Sequence, residues 1–457
     1  MLGMRLPGED PELMKLKELL IEIYNDKSAE EINHLWLQLL QILDKNIQKR
    51  QYESKTYQES WDSSSAILIT YADVVKKKGE PTLTTLKKLI DDYIGDFVPI
   101  IHILPFLSST SDGGFAVSSY ECLEPGFGTW DNLNDISKKY ILMADLVLNH
   151  VSSSHPWVQG FIRSIKPESN YIFVPEAKGE WENVTRPRNT SLFTQIKTVD
   201  GPRDVWTTFG PDQIDINWKE PNVIIEFFKL LIRYVNSGIA WIRLDAVGFI
   251  WKESKTTCLH LEEVHKLVKV FRILFYKLNK SGVLITETNV PEKENISYLK
   301  DGDEAHLAYN FALPPLLLEA IISNNADLLN RWLCNWPNLP LRTGFLNFTS
   351  SHDGVGLRAL EGLMSYERIL GLLVSCEKRG GLVSHRRMPD GSEKPYELNI
   401  SWWSAMSGEG RNSSLYQLER FLLSQLFVMS LKGIPAFYLQ SLLASENDHR
   451  TFAKSGQ

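Results

Sequence analysis

The chain has 457 residues, 43% of them hydrophobic and 23% charged, and 49 Lys+Arg against 56 Asp+Glu give a formal net charge of -7. These proportions belong to a globular protein and exclude a disordered tail, a collagen or a small disulfide scaffold; without a basic stripe, nucleic acid is not an expected partner. Cys122, Cys258, Cys334 and Cys376 are scattered singly, with neither metal-ligand nor redox spacing, so a reducing compartment is expected.

The opening MLGMRLPGEDPELMKLKELL has no continuous apolar core before a small-residue cleavage site, and the apolar run over 421–431 is far shorter than the roughly 20 residues a bilayer requires. A cytoplasmic protein with no membrane partner is expected. N-x-[ST] sequons, among them Asn183, Asn189, Asn295, Asn347, Asn399 and Asn412, are read as chance in a chain rich in Asn and Ser.

Residues 1–60 are predicted to be an N-terminal helical extension. Leu13, Leu16, Leu20 and Ile23 recur at helical spacing, as do Leu35, Leu39, Leu40 and Leu43, and Ser28 with Glu31 forms a capping box before the second helix. The pair is read as packed on the main domain rather than as a partner-binding hairpin.

From about Ser65 the pattern changes to short β-rich runs separated by helical segments. Strands are predicted at 66–72, 99–106, 141–148, 238–247, 282–288, 307–313 (the weakest), 344–350 and 434–440. Nearly continuous apolar runs alternating with helices mark parallel strands buried on both faces, and eight of them predict an α/β fold of the (β/α)₈ TIM-barrel type. The barrel would occupy 61–150 and 222–457. A loop-rich inserted domain B, 151–221, is expected after the third strand, and a second insertion, 354–414, after the seventh. Insertions at that end shape the pocket, because barrel sites form at the C-terminal ends of the strands.

Four strand ends carry groups that a pure core would not choose: Asp145, Asn149 and His150 in DLVLNH, Arg243 and Asp245 in IRLDAV, Glu287 in ITETN, and His352 with Asp353 in SSHDG. One acid at a strand end is commonly a cap, but four sets at one rim need partners or a function. Carboxylates without a phosphate-cradling glycine loop or a Cys/His cluster point to glycosyl chemistry, in which retention uses a nucleophilic carboxylate and an acid/base about 5–5.5 Å apart.

These four segments, in this order, resemble the motifs of glycoside hydrolase family 13, the α-amylase superfamily. The resemblance implies Asp245 as nucleophile, Glu287 as general acid/base and Asp353 as transition-state stabiliser, with Arg243, His150 and His352 on the sugar hydroxyls. Arg243 is expected to keep Asp245 ionised, while burial and neighbouring acids keep Glu287 protonated. The strings SSTSDGGFAV, GTWDNL, TRPR, WTTFGPDQIDINW and PDGSEKPYELN are similar to the sucrose phosphorylase-type subfamily, nearer its glucosylglycerate phosphorylase branch. That likeness implies Asp112 and Phe115 in the glucose subsite, Phe209 and Gln213 at its mouth, Arg188 nearby, and Glu397 and Asn399 toward the acceptor. It also implies no calcium, so Asn149 is read as structural and neither metal nor cofactor is predicted. His385, Arg386 and Arg387 are open to two readings, an anion-binding loop or an exposed charged one.

The implied activity is a retaining α-glucoside phosphorylase that moves glucosyl from sucrose or glucosylglycerate to phosphate, giving α-glucose 1-phosphate. The alternatives are a hydrolase or transglycosidase of the same superfamily, or a non-catalytic sugar-binding barrel. Relatives of this kind continue into a small C-terminal β domain that is not in this sequence, so the barrel is expected to be truncated, exposing Phe437 and Leu439 on the eighth strand. The oligomeric state is not legible.

Overall fold

The computed structural model describes residues 10–50, 61–388, 390–408 and 414–455; the Asn412 sequon and the extreme N-terminus lie outside them. Eight parallel strands form a closed barrel: β1 (Ile67–Thr70), β2 (Ile100–Ile103), β3 (Ile141–Val147), β4 (Ile239–Asp245), β5 (Val283–Thr286), β6 (Leu307–Tyr309), β7 (Gly344–Phe348) and β8 (Ile434–Tyr438). Every predicted strand is present, including the weak sixth. The observed strands are shorter than the apolar runs that announced them, because a run continues into the buried loop beyond the last paired residue. In β1 all four residues are buried, as two-sided packing between barrel interior and helices demands.

The barrel is closed by β8 against β1, with Leu68 opposite Phe437. Phe437 is only 9% exposed and Leu439 1%, so the expectation of an open, apolar eighth strand is not met. Pairing with β1 satisfies the strand edge, and Leu439 begins the short helix Leu439–Leu442 that folds back on β1 and β8. Exposed apolar side chains lie instead on the helix Gln417–Met429, at Leu418, Leu422, Leu423, Leu426 and Met429.

Two N-terminal helices pack on the outside of the barrel. Helix α1 (Pro11–Ile23) starts with Pro11 behind the N-cap Asp10, whose carboxylate accepts from the Glu12 and Leu13 amides. It buries Leu16, Leu19, Leu20 and Ile23 against the barrel helix Glu262–Leu278, and Lys277 Nζ lies 2.8 Å from Asp10 Oδ2. Helix α2 (Ala29–Arg50) lies on the same helix and on Asn222–Asn236. Ser28 and Glu31 make the reciprocal bonds of the capping box.

Between β3 and β4 the chain leaves the barrel. This excursion is more than loop: it carries the helix Pro156–Ile162, a hairpin of Phe193–Thr198 with Gly201–Trp206, and the strand Gln213–Asp215 antiparallel to His150–Ser152. Between β7 and β8 lie the helix Tyr366–Glu377 and a hairpin of Leu382–Arg387 with Glu393–Asn399, which pairs with Val355–Gly356. Among the described residues no helix is long and apolar enough to cross a membrane.

Candidate active site

The parallel register sets Asp145 of β3 beside Arg243 of β4 and Val147 beside Asp245. Residues two apart on a strand share a face, so Arg243 and Asp245 both turn to the barrel interior at its C-terminal end. Arg243 is 1% exposed, and its burial is tolerable because acids surround it. Nη1 reaches Asp145 Oδ1 and, at 2.7 Å, Asp245 Oδ1, while Nη2 lies 3.8 Å from both Glu287 Oε2 and Asp353 Oδ2. One guanidinium thus organises four carboxylates. After Asp245 the chain turns sharply: Ala246 has φ +48°, and its N–H donates to Glu287 Oε2 at 3.0 Å. Asp145 is further held by His102 Nε2 at 2.9 Å.

These contacts set the protonation of the cluster. Burial acts to raise Asp145, but His102 and Arg243 overcome it and hold that carboxyl well below the usual range. Burial also raises Asp245 and Glu287; Arg243 opposes the rise at both, and mutual repulsion with the neighbouring acids adds to it. The expectation that Arg243 keeps Asp245 ionised is therefore corrected: burial and the neighbouring acids outweigh the guanidinium and favour the neutral form. The cluster holds a shared proton above the ordinary carboxylate range.

The cavity has a volume of about 590 Å³, and the rest of its lining grows out of the loops. Asp112 sits at φ +55° in a turn with Gly113 and Gly114, where a side chain on Gly114 would strike the Pro105 carbonyl. Asp212 fixes this turn by accepting from Thr110, Ser111 and Ser153 hydroxyls. Gln213 Nε2 donates to Asp112 Oδ2 at 2.8 Å and lies 3.0 Å from His150 Nε2. Phe115 stacks on His352, with centroids 5.0 Å apart and planes 11° from parallel, and His352 Nε2 lies 3.4 Å from Asp353 Oδ2. Phe209 packs against His150 and Phe249.

Of the residues singled out in the sequence, Asp112, Phe115, His150, Arg188, Phe209, Gln213, Arg243, Asp245, Glu287, His352, Asp353, Glu397 and Asn399 line this cavity, while Asp145 and Asn149 lie behind it. Arg188 Nη1 is 3.9 Å from Glu397 Oε2. Burial raises Glu397 to about 7, with Asp353 adding to the rise and Arg188 opposing it. Asn399 Nδ2 donates to Ser384 Oγ at 2.6 Å. Arg386 does not take part. It is 8% exposed, forms an ion pair with Glu361 and does not line the cavity, and neither do His385 and Arg387. In the hairpin Ser384 pairs with Glu397, and the register shifts between Ser384 and His385, leaving Tyr396 as the extra residue on the second strand.

Sequence reasoning missed Tyr71, Phe249, Phe311 and Tyr396, which also line the cavity, and Lys252. Aromatics in loops carry no periodic signal. Lys252 was legible only as a lone cation in IWKE, yet its Nζ is buried between Asp215 Oδ2 at 2.7 Å and Asn149 Oδ1 at 2.8 Å. The described residues contain no cluster of three or more His, Cys, Asp or Glu arranged to hold a metal ion.

The barrel and its ring of acids define a class, and comparison agrees: the family described as "Alpha amylase, catalytic domain" matches residues 85–339, and the chain belongs to it. Relatives within the family include proteins named as phosphorylases. It is 40% identical over 398 residues to a glucosylglycerate phosphorylase of Allomeiothermus silvanus, covering 87% of this chain and 72% of the relative. With that of Escherichia coli it shares 36%, over 87% and 71% of the two chains. A sucrose phosphorylase of Agrobacterium vitis is 28% identical over 86% of this chain and 80% of its own. The solved sucrose 6F-phosphate phosphorylase from Thermoanaerobacter thermosaccharolyticum shares the fold at a TM-score of 0.76 and 24% identity, covering 89% and 81%.

Proposed function

We propose that this protein is a retaining α-glucoside phosphorylase with glucosylglycerate as its donor. Asp245 attacks the anomeric carbon as the glycosidic bond breaks, and Glu287 passes its proton to the departing glycerate oxygen. The resulting glucosyl ester is attacked by a phosphate oxygen; that oxygen's proton goes to Glu287, and Asp245 leaves as carboxylate. Two inversions give α-glucose 1-phosphate. Asp353 faces the developing oxocarbenium charge. The Glu287 bond to the amide of Ala246, next to Asp245, supports the short carboxylate spacing that retention needs.

The observation that carries the phosphorylase reading over hydrolysis is the Arg188–Glu397 pair in the same cavity as the acids. Phosphate is anionic, and a buried cavity with four acids near Arg243 would repel it. Arg188 supplies a guanidinium, and Glu397, with its pKa raised to about 7, loses its own charge near neutral pH. A cytoplasmic setting, where phosphate is available, agrees with four free cysteines. The test is incubation with glucosylglycerate, with and without phosphate. Glucose 1-phosphate formed only with phosphate supports the reading; equal glucose release in both makes the protein a hydrolase.

A further inference from the structure

Asp212 is a half-buried acid on the cavity wall whose carboxylate is taken up by the protein itself. Oδ2 accepts from Thr110 Oγ1 at 2.6 Å and from Ser111 Oγ at 2.5 Å; Oδ1 accepts from Ser153 Oγ at 2.5 Å and from the Ser153 amide at 3.3 Å. Burial acts to raise its pKa, but the hydroxyls of Ser111, Ser153 and Thr110 outweigh it and hold the carboxyl below the usual range. An ionised carboxylate only accepts, so the hydroxyl protons are assigned: Thr110 and Ser111 each direct theirs at Asp212. Thr110 Oγ1 is then the acceptor for Ser152 Oγ, 2.6 Å away, and Ser152 Oγ accepts in turn from the Ser154 amide at 3.0 Å.

These bonds join three stretches that are distant in the chain: the loop after β2, the residues after His150, and the returning end of the inserted segment. Thr110 and Ser111 lead directly into Asp112, whose φ of +55° opens a run of three positive-φ residues with Gly113 and Gly114. A non-glycine residue stays in that region only where its surroundings hold it. Asp212 grips the two residues before Asp112, and Gln213, next in sequence, donates Nε2 to Asp112 Oδ2 at 2.8 Å. The Gln213 amide has one orientation for the same reason, since a carboxylate oxygen at that distance excludes its carbonyl end. The backbone and the carboxylate of Asp112 are thus fixed by two successive residues.

We propose that Asp212 is a positioning residue for sugar binding: without touching the substrate, it acts through the Thr110–Ser111 hydroxyls to hold Asp112 where its carboxylate meets the hydroxyls of the bound glucosyl unit. The proposal rests on the reading of Asp112 as part of the glucose subsite.

The test follows fluoride release from α-glucosyl fluoride at saturating phosphate, which reports on the sugar side of the cavity whatever the natural leaving group is. Asp212→Ala should raise KM for the fluoride about tenfold with a smaller change in kcat, and leave KM for phosphate within about twofold of the wild type. Asp112→Ala alone should lower kcat/KM by more than this. In its background Asp212→Ala should cost less than about twofold further, because two residues that act through one contact are not additive. Ser111→Ala removes a single donor and serves if Asp212→Ala does not fold; its KM for the fluoride should rise about threefold, with the same cancellation in the Asp112→Ala background. An unchanged KM in folded Asp212→Ala, a loss that persists at full size beside Asp112→Ala, or an equal rise in KM for phosphate overturns the proposal. Wild-type kcat/KM in Asp112→Ala alone would overturn the subsite reading, and the proposal with it.

Discussion

Arg243 Nη1 lies 2.7 Å from Asp245 Oδ1, two residues further along the same barrel strand. The strand's two-residue period makes this pairing local and inescapable: wherever β4 sits, the guanidinium accompanies the carboxylate. Burial drives Asp245 toward its neutral form, and Arg243 is the group that lets it work as an anion. Replacing Asp245 with Asn should lower turnover on the order of a thousandfold or more while the fold survives. Residual phosphorolysis above a few per cent would remove the nucleophile role from this residue.

Glu287 is the proton donor of the proposed mechanism. In Glu287→Gln, kcat for glucosylglycerate should fall on the order of 10²–10⁴-fold, whereas glucosyl fluoride, whose leaving group needs no proton, should be turned over far better. Equal losses on both substrates would place the acid elsewhere.

The Glu397 prediction follows from the direction of its shift. A carboxyl raised in the folded state to about 7 favours folding while protonated, and this contribution fades as pH rises through about 7. Glu397→Gln should therefore raise Tm most above pH 7, with the gain shrinking as pH falls toward the ordinary carboxylate range. KM for phosphate in the wild type should rise with pH across the same window, and the variant should lose that rise. A parallel pH dependence in both proteins would contradict the assignment.

Arg188 and Arg386 should separate cleanly. Loss of a charge-assisted bond worth about 1.5–3 kcal/mol predicts a 10- to 100-fold higher KM for phosphate in Arg188→Ala. Arg386→Ala breaks the pair with Glu361 away from the cavity, and should lower Tm by a few degrees with KM unchanged. A raised KM in Arg386→Ala would return that residue to the acceptor site.

Much of this architecture is legible in the sequence. Barrel strands buried on both faces leave continuous apolar runs, and even LAYNFAL marks β6, although only Leu307–Tyr309 pairs. The acids of the site are legible because an apolar strand that ends in Asp or Glu breaks its own pattern. Elsewhere chemistry depends on orientation, which composition does not encode. Arg386 reads equally as an anion-binding cation and as an exposed one until its pairing with Glu361 places it outside the cavity, and Phe437 reads as exposed until β8 closes on β1. Lys252 carries no signal in the sequence, because Asp215 and Asn149, which meet its ammonium, lie far from it in the chain.

The central claim is a glucosyl ester on Asp245 that phosphate discharges. Glu287→Gln protein, mixed with glucosyl fluoride in phosphate-free buffer, quenched and digested, should show by mass spectrometry one added glucosyl group on the peptide containing Asp245, and a brief chase with phosphate should remove it as glucose 1-phosphate. An adduct on another residue, or a glucosyl-enzyme that water discharges as fast as phosphate does, would contradict the account.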